Sequence, residues 1–186
     1  LSAEGPLLIT HWGLSGPGVL KLSAWGAREL AAINYQFDID VNWLGTKTTA
    51  QLIEALKNYK QQHAKHIIGK NNLFGVPTRL WLSLLTAGAG AGALTQNFAD
   101  LSNKTIELIA SMLTASQFKV NGKSTFKEEF VTAGGVDLNE VDFKTMQSKL
   151  FPKLYFAGEV LDIDAVTGGF NFQAAWTTAW IVAQSV

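Results

Sequence analysis

The sequence predicts a mixed α/β chain of the α+β kind, and three stretches carry that expectation. Residues 33–43 alternate almost without fault: Ile33, Tyr35, Phe37, Ile39, Val41 and Trp43 fall on one side. Asn34, Gln36, Asp38, Asp40 and Asn42 fall on the other, which is the period of a half-buried strand. Between residues 46 and 115 the apolar residues recur instead at helical spacing. Near the end, the apolar run 154–157 is bounded by Pro152 and Gly158, which suits a short buried strand. An acidic loop, the pair Gly168-Gly169 and a second helical pattern follow it. A helix N-terminus offers free N–H groups and the positive end of a dipole, so strand, acid, Gly-Gly, helix can cradle a phosphate or an electron-rich carbonyl.

Length and composition narrow the classes. A chain of 186 residues allows one or two domains at roughly 150 residues each. With 47% hydrophobic residues and six Trp it can bury a sizeable core. Fifteen basic and fifteen acidic residues balance to zero, so no global charge steers the chain toward nucleic acid or an anionic membrane, and neither partner is expected. The absence of Cys excludes disulfides and thiolate metal sites and fits a cytoplasmic location. No apolar run approaches the roughly 20 residues of a membrane helix. The chain begins without Met and without a signal-peptide pattern and enters an apolar strand almost at once, so a missing N-terminal part is expected.

Taken in order, residues 7–10 form a strand leading to His11, Trp12 and Gly13. A helix over 19–32 follows, with Ser15 as N-cap and Pro17 in the first turn. Ser15 with His11 could suggest a hydrolase, but a nucleophile elbow needs Gly-x-Ser-x-Gly, and Pro17 stands at the last position. Asp38 and Asp40 share the polar face of the 33–43 strand, where ordinary exposure explains them better than acid–base work. Residues 46–60 form a helix capped by Thr48 or Thr49, with Leu52, Ile53, Leu56 and Tyr59 on its apolar face. His63 and His66 lack the spacing and carboxylate of a metal site and read as solvated helix-end residues.

Residues 67–75 are connective, and Pro77 opens a helix through 79–85. Gly88, Gly90 and Gly92 follow that helix rather than a buried strand and lack the Gly-x-Gly-x-x-Gly spacing, so they predict a flexible loop and not a nucleotide site. Residues 103–115 form a helix with Ile106, Ile109, Ala110 and Leu113 inward. A β-hairpin is expected over 118–126, turning at Asn121-Gly122 in type I′ geometry, and a boundary lies near 124–132 where composition shifts.

Two runs at the end, Phe156-Ala-Gly-Glu159-Val-Leu-Asp162 and Thr167-Gly-Gly-Phe-Asn171-Phe-Gln173-Ala, resemble the C-terminal signature of the HI0933-like, or BaiN-type, FAD-dependent flavoproteins. Thr132-Ala-Gly-Gly135-Val with Thr145-Met-Gln-Ser148-Lys149 resembles that family's preceding segment. Thr10-His-Trp-Gly13-Leu-Ser15-Gly16-Pro17 resembles a motif near its insert. The resemblance implies an insert domain over 1–128 that shapes substrate access. Residues 129–186 would be the C-terminal strand-loop-helix segment of a Rossmann-like FAD-binding domain, whose N-terminal half is a missing partner.

It further implies FAD bound by Gly134, Gly135, Gly158, Glu159, Gly168, Gly169, Phe170 and Asn171. Glu159 would accept hydrogen bonds from ribityl hydroxyls, and the glycines would permit close approach of the ring. The backbone at 168–171 would face the flavin carbonyl edge. Thr145, Ser148 and Lys149 are weaker candidates, Lys149 with a surface ion pair as its other reading. Hydride chemistry needs no protein nucleophile, so no catalytic residue and no metal ligand is named. The implied activity is that of an NAD(P)/FAD-dependent oxidoreductase, with NAD(P)H as electron donor and a small organic molecule as substrate. The alternative is a non-catalytic ligand- or protein-binding module.

Overall fold

The computed structural model describes residues 1–124 and 131–186. In chain order these form β1 (Leu8–Ile9), β2 (Leu14–Ser15), α1 (Pro17–Trp25), α2 (Ala27–Ala32), β3 (Gln36–Val41) and α3 (Thr49–Gln62). After them come α4 (Thr78–Ala89), α5 (Asn103–Thr114), β4 (Ser116–Asn121), β5 (Val141–Asp142), β6 (Gln147–Ser148) and α6 (Phe170–Ser185), with short 3-10 turns between. The chain is thus mixed α/β, as its patterning requires. It divides into two compact units, Phe37–Val120 and a second made of Leu1–Gln36 with Asn121–Val186.

The unit 37–120 is a helical core with one small sheet. Thr48 caps α3 through a reciprocal box: its hydroxyl accepts from the Gln51 N–H, and the Gln51 side chain accepts from the Thr48 N–H. Leu52 and Leu56 of α3, Trp81 and Leu85 of α4, and Ile106, Ile109 and Leu113 of α5 are all buried together. The Trp81 indole N–H finds the Ile68 carbonyl at 3.2 Å, which satisfies the one polar atom this ring brings into the core. β3 pairs with β4, and its burial alternates residue by residue as the pattern predicted.

Gly88 departs from the expected loop. It belongs to α4, and a Cβ there would lie 2.9 Å from Met112 Cγ and 3.2 Å from the Leu108 carbonyl oxygen of α5. This glycine serves helix–helix approach, and a 3-10 turn over Ala91–Thr95 replaces the rest of the loop.

In the other unit, β1 and β2 pair antiparallel, as do β5 and β6. A smaller core gathers Val141, Met146 and Leu161, with Phe156, Ile163, Ile181 and Val182 packed against it. Several expectations change here. Ser15 lies in β2 and caps nothing: α1 starts after Gly16 with Pro17 at its first position. The helix expected over 19–32 is broken at Gly26 into α1 and α2. Residues 33–35 precede the strand in a turn where Asn34 and Tyr35 hold φ of 52° and 55°.

Asn121 ends β4 without a positive φ, so no type I′ turn forms there, and the rest of the expected hairpin falls on 125–130, outside the described residues. The run 154–157 is not a buried strand either. It touches β6 through one antiparallel bridge, Gln147 to Tyr155, and Leu154 is exposed. With a ladder on one side only, an apolar run stays half-covered.

Candidate functional site

The site is built where the chain passes from residue 156 into α6. Residues Gly158–Val160 form a 3-10 turn, entered with Gly158 at φ 78°. Its N–H donates to the Thr178 hydroxyl at 3.0 Å, and that hydroxyl donates in turn to the Ala174 carbonyl at 2.8 Å. Thr178 is the buried residue of α6, so a single hydroxyl fixes the turn against the helix flank. Glu159 sits in this turn, exposed, and its carboxylate has no hydrogen-bond partner among the described residues.

Residues 134–136 run alongside. The Val136 N–H donates to the Val160 carbonyl at 2.8 Å, and the Asp162 N–H donates to the Val136 carbonyl at 3.1 Å, a parallel bridge. Gly135 lies hard against that crossing: a Cβ on it would stand 2.5 Å from the Leu161 carbonyl carbon and 2.6 Å from the Val160 oxygen. Gly134, at φ 111°, has open space around its missing side chain.

The acidic loop is tied down by a residue that sequence reasoning passed over. Arg28 on α2 pairs with Asp162 and, at 3.7 Å, with Asp164. Nothing in the pattern of a short helix announces a tether to a loop so far along the chain. An exposed pair of this kind contributes at most about 1 kcal/mol, so its value lies in orienting the loop. Asn171 closes the other end: its side-chain amide donates to the Ala165 carbonyl and accepts from the Ala165 N–H, both at 2.9 Å. The Asn171 side chain is thereby committed to the loop, leaving its backbone N–H for any ligand.

α6 then begins at Phe170 behind Gly169, which holds left-handed backbone at φ 103°, with Gly168 before it at φ 129°. Among the described residues no acceptor meets the N–H groups of Phe170, Asn171 and Phe172. A 16-residue helix therefore ends in unsatisfied donors, with no acidic side chain in its first turn. Such an end stabilises an anion or an electron-rich carbonyl oxygen. The weaker candidates serve the local chain. The Ser148 hydroxyl accepts from Leu150 and Phe151, Thr145 accepts from Gln147, and Lys149 donates to the Asn139 carbonyl and makes no ion pair among the described residues.

The described residues contain no group of three or more His, Cys, Asp or Glu placed to hold a metal. Among the described residues no helix is long and apolar enough to cross a membrane.

Comparison with known proteins gives a consistent picture. The HI0933-like protein Rossmann domain matches residues 16–185. The chain is 35% identical to the ribosomal RNA dihydrouridine synthase of Escherichia coli over 182 residues, which is 97% of this chain and 42% of that protein. It is 30% identical to the Haemophilus influenzae protein of the same name, again over 97% of this chain and 42% of the relative. The 3-dehydro-bile acid delta(4,6)-reductase of Clostridium scindens is 26% identical over 97% of this chain and 44% of its own length. The chain thus spans less than half the length of the curated relatives it matches.

Proposed function

Because the chain belongs to the HI0933-like Rossmann family, we propose that it is the C-terminal part of an FAD-dependent reductase acting on an activated carbon–carbon double bond. The observation that carries this reading is the start of α6, where two positive-φ glycines lead into three N–H groups without an acceptor. When bound, FAD supplies a hydride that it has received from a reduced nicotinamide, and a proton completes the addition.

The chain's own residues bind and orient. The N–H groups of Phe170 to Phe172 hold an electron-rich carbonyl edge, and the helix dipole favours negative charge there. Glu159 accepts hydrogen bonds from ribityl hydroxyls. Gly158 supplies the left-handed backbone, φ 78°, with which the turn is entered. Gly134 leaves open space beside the loop.

Two relatives' names describe one kind of chemistry. Dihydrouridine is uridine whose ring double bond has been reduced, and a delta(4,6)-reductase removes a conjugated double bond. For this chain we take uridine within RNA as the substrate, since the two dihydrouridine synthases share the higher identity. A cytoplasmic location follows from that substrate. The division into an access domain over 1–128 and a cofactor segment over 129–186 belongs to the same reading, as does a Rossmann half elsewhere in the intact protein.

The intact protein is expected to be yellow as purified, with absorbance near roughly 370 and 450 nm, and to oxidise NADH or NADPH when given substrate. Glu159→Ala should lower its FAD content and affinity while leaving its fold intact. A colourless protein that takes up no added FAD would overturn the proposal. In that case the non-catalytic reading leads, favoured by Phe172, Trp176 and Trp180, whose side chains stand 65%, 73% and 65% exposed along α6.

A further inference from the structure

The end of α3 and the loop after it form a surface that the cofactor site does not use. From residue 57 to residue 99 the sequence contains no Asp or Glu, yet Lys57, Lys60, Lys65, Lys70, Arg79, His63 and His66 fall within it. The balanced charge of the whole chain averages this concentration away. Among the described residues, Lys57, Lys65 and Lys70 form no ion pair and no hydrogen bond through the side chain, and Lys65 and Lys70 are exposed. Lys60 is spent locally, donating to the Leu101 carbonyl at 2.6 Å. The neighbouring segment packs through backbone bonds from Phe98 to His66 and from Ala99 to Ala64, and it brings one acid, Asp100.

Lys65 immediately precedes His66, which belongs to a cluster of rings. Phe98 is buried, and its ring centroid lies 4.8 Å from that of Tyr59. His63 lies 4.4 Å from Tyr59, and His66 stacks on His63 at 4.8 Å with only 18° between the planes. The Tyr59 hydroxyl and His66 Nδ1 are 2.9 Å apart, which locks the outer ring in place. His66 is exposed, with its ring stacked on His63 and 5.9 Å from Tyr59 between centroids, so an ordered imidazole stands at the edge of the cluster. Lysines at a helix C-terminus commonly answer the dipole, and Lys60 does so. That account does not cover Lys65 and Lys70, which lie past the helix, nor the cluster of four rings.

We propose that this surface holds single-stranded RNA, with Lys65 and Lys70 on phosphates and the His66 face under a base. Unpaired RNA is recognised by stacking on aromatic or His rings together with cationic contacts to the backbone. This assignment rests on the reading of RNA as substrate given above, and deepens it by naming where the strand is gripped.

The test uses the intact protein and a fluorescein-labelled oligouridine, followed by anisotropy across a range of salt, with FAD content measured on the same samples. K65Q/K70Q removes two exposed charges and should reduce the slope of log affinity against log salt by about 1.4, at ~0.7 per phosphate on a single strand. His66→Ala should weaken binding about tenfold at fixed salt through lost stacking. Flavin content unchanged in both variants, with both losses seen, supports the surface. Flavin retained with affinity and slope unmoved in both variants overturns the surface and leaves the reductase reading standing. Both binding losses in a protein that holds no FAD would support the surface and overturn the reductase reading. A loss in K65Q/K70Q with none in His66→Ala overturns the stacking face.

Discussion

At Gly135, where the family resemblance implied close approach of the flavin ring, the structure gives glycine a reason that lies within the chain itself. The Val136–Leu161 bridge brings two backbones together at this point, and the atoms a Cβ would strike belong to the backbone of residues 160–162, which cannot turn aside as a side chain can. Gly135→Ala should therefore destabilise by about 1–3 kcal/mol, the usual cost of forcing extra volume into a filled place. For a chain of this size that is a fall in Tm of roughly 2–4 °C per kcal/mol, readable by thermal unfolding. An unchanged Tm would mean the crossing can open. Ser15 shows the opposite case, a side chain suited to capping that the fold places in a strand instead. Propensity states what a residue can do, and a hairpin two residues wide decided otherwise.

Elements were legible where their signals are local. The α3 start carries its own capping box, the α5 face repeats at helical spacing, and β3 alternates without interruption, so each is written in adjacent residues. The run 154–157 was not legible, because its burial depends on which strands lie beside it and no local pattern encodes that. The approach to α6 falls between these cases. Its glycines could be read, but the Arg28 tether and the Asn171 clamp are long-range or side-chain facts.

The clamp makes a prediction for this element. Asn171→Ala removes a donor and an acceptor from Ala165 and should cost about 1–2 kcal/mol, at ~1 kcal/mol per hydrogen bond. Because the loss is local, amide exchange should quicken between residues 163 and 171 while α3 and α5 stay protected. Uniform loss of protection across the chain would show that the clamp supports the whole fold rather than the helix entry.

On the scale of the whole molecule, α6 is arranged unlike a surface helix. Its buried residue is Thr178, whereas Phe172, Trp176 and Trp180, spaced four apart, lie on an exposed stripe. Three aromatic rings on one exposed stripe form the kind of patch that marks a contact. The chain spans less than half the length of the curated relatives it matches, and the further Rossmann half proposed above is one candidate to cover the stripe. If that part seats on the stripe, Trp176 and Trp180 become core residues, and truncating each removes about 3–5 kcal/mol.

Trp176→Ala and Trp180→Ala in the intact protein should then each lower stability by several kcal/mol, on the order of that range. Each should also loosen FAD, because the helix they anchor begins at the proposed cofactor site. Wild-type tryptophan emission should be blue-shifted relative to the two variants. A Tm that barely moves in both would mean the stripe faces water in the intact protein as well. The aromatic face would then be a docking surface for another molecule, and Thr178 rather than the tryptophans would be what holds α6 in place.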